Sequence, residues 1–382
     1  MQYKSFVSKA TAWLLACLLL FSACGQDIPT SSKSSISSSE SAAASSVETD
    51  TISTNESGTE NSLRTLPKDE VAPRIAALKG PTAMGLVKLL HEEQSESTDN
   101  SVSTDAAEGS TLIAPDPEIL ASPDEMVPKI IKHEVDLACV PANLAAVLYN
   151  KTEGAVQVLA VNTLGVLYLV ENGDTVHSLA DLRGKTIYAS GQGATPEYVL
   201  RYLLTENGLD PDTDVTIAWQ PEHNAALQAL LQDESAVALL PQPFVTVAQQ
   251  KSENLRIAVD LNEAWSALQT AASKPSALIT GVLIGQREYI EKNPETIRAF
   301  LDAYRSSIDY VKAHTDEAAQ LIEAYDIVPQ IVAEKALPHC NITYIDGAQM
   351  KENLMAYLHI LFEQNPKAIG GSEPDAAFYY EP

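Results

Sequence analysis

The sequence predicts an α/β protein with two lobes, each built on a mainly parallel sheet flanked by helices. Short apolar strands alternate with amphipathic helices from about residue 73 onward, a pattern typical of parallel sheets covered by helices. Two such runs occur, the second starting at Leu182, and a mostly helical segment follows Gly285. Because this helical segment remains after the second run, the chain is expected to leave the first lobe and later return to it.

The first run opens with a short strand at 74–78 and a helix at 82–91, joined by Gly80-Pro81, a pair that favours a turn. The acidic stretch at 92–111 has no apolar periodicity, which predicts an exposed loop that tolerates insertion. The other elements predicted here are strands at 118–121, 135–140, 156–161 and 165–170, with helices at 123–133, capped by Ser122, and at 144–149.

The second run repeats the pattern around a glycine-rich turn. A strand at 185–189 leads into Ser190-Gly191-Gln192-Gly193, and a helix is predicted to start near Thr195. In the C-terminal segment, apolar residues at helical spacing predict a helix at 294–313. The remaining predicted elements are strands at 215–219, 236–240, 255–260 and 279–285, and helices at 224–231, 245–250, 316–325 and 350–365.

The N-terminus indicates export. Lys4 and Lys9 precede an apolar stretch at 10–20 that is too short to span a bilayer, and Phe21-Ser22-Ala23-Cys24 supplies small residues for cleavage. The pattern resembles a bacterial lipobox, which predicts a signal peptide at 1–23 and lipidation of Cys24 with palmitate. An ordinary secretory signal, with Cys24 as an incidental thiol, is the alternative.

The stretch behind this signal is dominated by Ser, Thr, Ala and acidic residues. Such a composition cannot bury enough apolar surface to fold, so residues 24–65 are predicted to form a lipidated cysteine followed by a disordered tether. The net charge of −26 becomes −28 when Lys4 and Lys9 leave with the signal. A chain this acidic is not expected to bind nucleic acid.

Two cysteines, Cys139 and Cys340, lie in the region predicted to fold. They could form a disulfide if the fold brings their Cα atoms within about 7 Å, or remain two separate buried thiols. The seven histidines are scattered and no CxxC occurs, so no metal site is expected. No cofactor is expected either, because Gly191 and Gly193 lack a third glycine at dinucleotide spacing and no phosphate-loop Lys-Ser/Thr is present.

Four segments are informative together: Ala77–Gly85, Val140–Asn143, Ala189–Tyr198 and Leu240–Phe244. In this order they resemble the solute-binding lipoproteins of ABC importers, in the group that binds nitrate, sulfonates, taurine and thiamine precursors. The resemblance covers the chain from about residue 72 to the C-terminus. The acidic insertion at 92–111 departs from the usual shorter connection.

The resemblance implies a type II periplasmic-binding-protein fold, in which a ligand is clamped between lobes that close about a two-strand hinge. Lobe 1 is expected at 72–162 plus 281–382 and lobe 2 at 166–278. The chain is expected to cross between them near 162–166 and 279–282.

The resemblance also implies a function. The chain would be the extracytoplasmic solute-binding component of an ABC importer, lipid-anchored to the bacterial cell membrane, and would deliver a small organic or anionic solute to the permease and its ATPase as a monomer. An extracytoplasmic enzyme or a ligand sensor on the same fold is the alternative. The enzyme hypothesis is disfavoured because no Gly-x-Ser-x-Gly, His-Glu-x-x-His or carboxylate dyad is apparent.

Ligand contacts are expected from loops at the carboxyl ends of strands, where parallel sheets bind ligands and helix N-termini offer free N–H groups. Thr82 could contact the ligand or cap its own helix, and Asn143 could bond the ligand or turn the chain. Lys79 could neutralise an acidic ligand or pair with a carboxylate of the other lobe. The predicted ligand-binding residues are Lys79, Gly80, Pro81, Thr82, Asn143, Ser190, Gly191, Gln192, Gly193, Ala194, Thr195, Gln242 and Phe244.

Two further segments have open interpretations. Gln242 and Phe244 could line the cleft, with an aromatic wall for a ring-bearing ligand, or form a rigid connector with Phe244 in the core. Glu222 and His223 precede a helix and are expected to be a solvated capping pair, with an acid–base pair as the alternative. Few arginines lie near strand ends, which favours a neutral or weakly acidic organic ligand over a strong anion.

Overall fold

The computed structural model describes residues 69–99, 112–272 and 276–381. The predicted signal peptide at 1–23, the lipidation site Cys24 and the tether at 24–65 lie outside the described residues. Among the described helices, none is both long and apolar enough to cross a membrane.

The described chain forms eleven strands, which pair into two sheets. They are β1 (Ile75–Leu78), β2 (Glu118–Leu120), β3 (Leu137–Pro141), β4 (Val156–Leu164), β5 (Leu167–Asn172), β6 (Thr186–Ser190), β7 (Thr216–Gln220), β8 (Val237–Pro241), β9 (Leu255–Asp260), β10 (Ile279–Gln286) and β11 (Ile342–Ile345).

The strands divide between a six-stranded sheet in the order β11-β4-β10-β3-β1-β2 and a five-stranded sheet in the order β7-β6-β8-β5-β9. We call each sheet with its helices a lobe, the first lobe containing the six-stranded sheet. The chain passes directly from β4 into β5 and returns to the first sheet in β10. The predicted two-lobed α/β fold is confirmed.

The pairing is mixed, but most strands of each sheet run in one direction, as expected; β10 and β11 in the first sheet and β5 in the second run against the others. In the described residues β1 pairs in parallel with β2 and β3, and β6 with β7 and β8. The pairs β10–β3, β10–β4, β11–β4, β5–β8 and β5–β9 are antiparallel. Strands that carry the chain between lobes have no crossover helix to restore their direction, and the alternation of elements in a sequence does not encode this.

Thirteen helices of the described residues surround the sheets. They are α1 (Pro81–Met84), α2 (Val87–Asp99), α3 (Pro123–Ile131), α4 (Ala142–Lys151), α5 (Thr195–Glu206), α6 (His223–Gln232), α7 (Phe244–Lys251), α8 (Leu261–Ala272), α9 (Arg287–Lys292), α10 (Pro294–Ala313), α11 (Thr315–Ala324), α12 (Gln330–Ala336) and α13 (Gly347–Gln364).

Several elements differ from the sequence expectation. The helix predicted at 82–91 is broken between α1 and α2, and α2 continues to Asp99 through half of the stretch predicted to be a loop; residues 100–111 are outside the described chain. Glu and Gln are good helix formers even without an apolar face, which is why periodicity missed this extension. The helices α8, α9 and α12 and the strand β11 were not predicted.

The apolar core is continuous between the lobes on one side of the molecule. There α13 packs against β4 and α4 of the first lobe and against α5 of the second. Trp265 of α8 and Tyr357 of α13 are both fully buried, with ring centroids 5.6 Å apart. The C-terminal helix therefore contacts both lobes.

Cys139 and Cys340 are free and buried, so they do not form a disulfide. Burial raises the pKa of each thiol to about 12. Cys139 Sγ lies 3.7 Å from the hydroxyl of Tyr304, inside the core. Both thiols are structural in character, because a reactive cysteine needs an accessible thiolate.

Candidate functional site

The carboxyl ends of the parallel strands of the two sheets face each other. Asn143, just after β3, accepts a hydrogen bond from Thr195, just after β6, with 3.2 Å between Oδ1 and Oγ1. This edge is where open α/β sheets bind ligands. The cleft between the lobes is therefore the candidate site, and its walls are the loops that follow these strands.

The first wall begins at Gly80, which has φ 119°, a backbone conformation that favours glycine, and which precedes α1 with Pro81 in the first turn. The Thr82 hydroxyl donates to the carbonyl of Leu78 at 3.0 Å, and Gly80 is the N-cap, so the interpretation of Thr82 as a cap is wrong. The helix α1 has only four residues. Its macrodipole is correspondingly small, which weakens the anion-site argument made from the sequence.

Lys79 forms an ion pair with Asp326, with 2.6 Å between Nζ and Oδ2. Asp326 lies between α11 and α12 of the first lobe, so this carboxylate does not belong to the opposite lobe as the sequence suggested. The Asp326 side chain is almost fully exposed. Such a surface pair contributes little to stability and can be exchanged for a ligand contact at low cost.

Asn143 lies in the first turn of α4 and is half-buried. Besides accepting from Thr195, its Nδ2 donates to the carbonyl of Ala368 at 3.4 Å. The amide is thus occupied by protein partners on both sides. Its role in the structure is a contact between the lobes, and no turn in the chain depends on it.

The second wall is the loop from Ser190 to Thr195. Gly191 and Gly193 both have positive φ, at 86° and 76°, so glycine is required at these two positions. The Gly193 N–H donates to the Glu197 carboxylate at 2.7 Å and its carbonyl accepts from the Tyr198 hydroxyl at 3.1 Å. The N–H and carbonyl groups of Gly193 are therefore already hydrogen-bonded within the protein. Gln192 is exposed, and Ala194 is the N-cap of α5.

Ser190 and His223 form a pair that the sequence did not predict. Ser190 Oγ lies 2.6 Å from His223 Nδ1, and Ser190 is 3% exposed. Burial lowers the pKa of His223, although nearby Glu222 opposes the shift, so the imidazole is neutral at pH 7. His223 is thus not the solvated capping residue expected from the sequence, and Glu222 makes no side-chain cap.

Phe244 stands beside this pair, with its ring centroid 4.9 Å from that of His223 and the ring planes inclined by 50°. It is only half-buried, which contradicts the interpretation that it belongs to the core. One phenyl and one imidazole ring therefore lie side by side near this strand end.

Gln242, at the end of β8, is 2% exposed. Its Oε1 accepts from the N–H and the hydroxyl of Thr246, at 3.3 and 2.9 Å. Its Nε2 has no hydrogen-bond partner among the described residues. An unpaired buried donor costs roughly 1–3 kcal/mol, so this amide is suited to an acceptor supplied from outside the chain.

Sequence reasoning missed a polar group on the strands that connect the lobes. Asn162 and Thr163 of β4 are 1% and 0% exposed; Asn162 Oδ1 accepts from the Thr163 hydroxyl, and Asn162 Nδ2 donates to the Thr82 carbonyl at 3.4 Å. Beside them lies Gly281, where a Cβ atom would come within 2.4 Å of Thr82 Cγ2. Two adjacent polar residues inside an otherwise apolar strand were the available signal.

The arginines of the described chain are engaged by other protein groups. Each of the seven described arginines already has a carboxylate or carbonyl partner elsewhere. In the described ranges no group of three or more His, Cys, Asp or Glu side chains could hold a metal ion. Besides the Lys79 ammonium, which is paired with Asp326, the walls offer a ligand hydroxyl, amide, imidazole and aromatic groups.

Comparison with solved structures gives the same architecture. An ABC transporter protein from Parabacteroides distasonis has 25% identity and a TM-score of 0.65, with 82% of this chain and 99% of that chain covered. The periplasmic aliphatic sulphonate binding protein SsuA from Escherichia coli has 17% identity and a TM-score of 0.62, covering 83% and 93%. A periplasmic sulfonate-binding protein from Methylobacillus flagellatus has 17% identity and a TM-score of 0.60, again covering 83% and 93%.

Among curated protein sequences none matches this chain. The family model described as NMT1/THI5 like matches residues 123–318, which is just over half of the 382 residues. This stretch contains β3 to β10 and hence both strands that connect the lobes. The group resemblance found in the sequence is confirmed, and the chain belongs to the NMT1/THI5-like family.

Proposed function

We propose that this protein is the extracytoplasmic solute-binding component of an ABC importer and that the solute binds in the cleft between the lobes. The observation that carries the proposal is the buried Gln242 amide just after β8, whose Nε2 has no partner among the described residues. The family membership and the periplasmic binding proteins among the structural neighbours support the same function.

The proposed site keeps the residues expected from the sequence except Asn143 and Thr195, which bond to each other, and adds His223. In the first lobe it comprises Lys79, Gly80, Pro81 and Thr82. In the second lobe it comprises Ser190 to Ala194 with Gln242 and Phe244, to which we add His223 because it is bonded to Ser190 and its ring lies beside that of Phe244. Lobes at 72–162 plus 281–382 and at 166–278 would close about the crossings at 162–166 and 279–282.

We further propose that the ligand is a neutral or weakly acidic organic molecule with a hydrogen-bond acceptor. The described arginines all have protein partners already, so a strong anion would lack a free bidentate partner among them. Gln242 Nε2 supplies a donor, and the inclined rings of His223 and Phe244 supply aromatic surface. Both features favour an organic ligand over a small inorganic ion.

The location belongs to the same proposal. The N-terminal sequence favours a signal peptide at 1–23 and a lipid on Cys24, which would hold a monomeric protein at the outer face of the bacterial cell membrane. From there the tether at 24–65 would let the lobes reach the permease, which works with its ATPase.

A thermal-shift screen of the protein tests this function. The panel holds sulfonates, nitrate, bicarbonate, pyrimidines, flavins and amino acids. A solute at 100 times its dissociation constant should stabilise the protein by about 2.7 kcal/mol. Gln242→Leu should abolish most of that stabilisation, whereas Gln269→Leu, which alters another buried glutamine away from the strand ends, should preserve it.

The fate of the ligand separates the two function classes. Ser190 and His223 form the kind of hydroxyl–imidazole contact that hydrolases use, which is the observation favouring an enzyme. A solute recovered unchanged from the complex supports the importer component. A solute that is consumed, with the turnover lost in Ser190→Ala, would instead establish the enzyme.

A further inference from the structure

A cavity of about 540 Å³ lies in the first lobe, and its described lining includes none of the residues of the proposed solute site. It is formed where α10 ends and α11 begins, between the short 3-10 helix Leu337–His339 and the first residues of β11. A volume of this size falls in the range of small-molecule sites. The function proposed for the cleft does not involve this cavity.

The floor of the cavity is apolar. Val311, Leu337 and Ile342 line it and are 1%, 7% and 6% exposed. Leu164, at the end of β4, adds a fourth apolar side chain to the lining. Contact with such a surface removes hydrocarbon from water and gains dispersion energy. The floor therefore favours a ligand with an apolar portion.

Polar side chains line the cavity beside this floor. They are Lys312, which is exposed, and Thr315 and Thr343, which are half-buried. Lysines such as Lys292 and Lys351 pair with carboxylates of the protein, whereas Lys312 has no ion-pair partner in the part of the chain that the structure describes. Its ammonium is therefore available to an anionic group from outside the chain.

The acidic neighbours of Lys312 in the sequence do not occupy this position. Asp309, Asp316 and Glu317 are all exposed, and none of them is in the described lining. Ammonium and hydroxyl groups both donate hydrogen bonds, and an ionised carboxylate only accepts them. The polar side of the cavity is thus suited to a carboxylate.

One wall of the cavity is held in place by hydrogen bonds. Asn341 has φ 46°, its carbonyl accepts from the Leu164 N–H at 3.0 Å, and its Nδ2 donates to the Gly165 carbonyl. Two residues earlier, the His339 carbonyl accepts from the Tyr168 hydroxyl at 2.7 Å. Because this wall is already ordered, a ligand pays little conformational entropy to bind against it.

We propose that this cavity is a second ligand site, which binds an amphipathic carboxylate. The hydrocarbon chain packs on Val311, Leu337 and Ile342, and the carboxylate pairs with the Lys312 ammonium beside the hydroxyls of Thr315 and Thr343. The site goes beyond the solute-binding function proposed for the cleft and does not depend on it.

A titration with sodium octanoate, followed by methyl NMR of the ¹³C-labelled protein, tests the site. The resonance of Ile342, assigned with Ile342→Val, should shift because this side chain lines the floor. The dissociation constant should be on the order of 1 mM, the range expected for a ligand of this size. 1-Octanol, which has the same chain without the charge, is the second probe.

The test variant is Lys312→Met, which removes an exposed ammonium and keeps an unbranched side chain. It should weaken octanoate binding about fivefold, because a partly exposed ion pair is lost, and should leave octanol binding unchanged. The matched control is Lys335→Met, which removes another exposed lysine, on α12, that is not in the described lining. The control should bind octanoate like the wild type.

Three results would overturn the proposal. The first is a titration in which the Ile342 resonance does not move, and the second is octanoate binding that is unchanged in Lys312→Met. The third is an equal loss in Lys335→Met, which would indicate only the net charge of the surface. Lys312→Met should also keep the thermal stabilisation by a solute of the cleft. If the thermal-shift panel gives no solute, the proposed function fails while the octanoate titration still decides this site.

Discussion

Gly281→Ala is expected to destabilise the protein by about 2–4 kcal/mol, the sum of overpacking and a lost hydrogen bond. The added Cβ would lie 2.4 Å from Thr82 Cγ2 and 2.6 Å from Asn162 Oδ1. Neither atom can retreat freely, because the Thr82 hydroxyl is bonded to the Leu78 carbonyl and Asn162 is bonded to the Thr82 carbonyl. The methyl group must therefore break a bond or displace β10.

The assay is urea denaturation, with Gly285→Ala on the same strand as the matched control. There the new Cβ meets only flexible side-chain ends, of Ile290 and Leu137 at 3.0 Å, so the cost should stay below about 1.5 kcal/mol. Thr82→Ser deletes the obstructing methyl group and keeps the hydroxyl, so it should recover about half of the loss in a double-mutant cycle. Equal costs for the two alanines, or no coupling to Thr82, would refute the proposed contact.

The remaining predictions concern a helix cap, a histidine and two thiols. The Glu70 carboxylate accepts a hydrogen bond from the Thr296 N–H at 2.6 Å, at the start of α10. Burial opposes the shift, but the hydrogen bonds from Thr296 and Glu295 lower the pKa of Glu70 from 4.5. Glu70→Gln should therefore cost about 1 kcal/mol at pH 7, and this difference in stability, measured by denaturation at several pH values, should vanish as the pH falls through the lowered pKa. Burial lowers the pKa of His223 from 6.5, so the folded state binds fewer protons than the unfolded one; stability should decrease as the pH falls below 6.5, and His223→Gln should flatten this part of the pH profile. Cys139 and Cys340 should resist iodoacetamide in the native protein and both be alkylated in urea, as read by mass spectrometry, and native labelling of either thiol at the denatured rate would contradict their burial.

The fold was predictable from the sequence where each element leaves its own local signature. The strand at 255–260 and the helix at 294–313 agree residue for residue with β9 and α10, because the former is a short run with β-branched residues and the latter has a long apolar face. Strand direction is a property of pairs, so the antiparallel partners of β10 left no trace in the pattern. The strand β11 was missed because four residues with a polar centre are too few to show a period.

For the site, the sequence could predict loops but not partners. Gly191 and Gly193 were found because a positive φ demands glycine, which is a local requirement. The pair of Ser190 and His223 joins residues 33 positions apart, and Asn143 meets Thr195 across 52 positions, so neither contact has a local signature. This difference matters for function, because the residues that hold the lobes together and those that face the solute come from the same loops. Only their bonding partners distinguish them: Gln242 keeps a donor unpaired among the described residues and is the stronger candidate for recognition, whereas the Thr195 hydroxyl is already bonded to Asn143 of the opposite lobe.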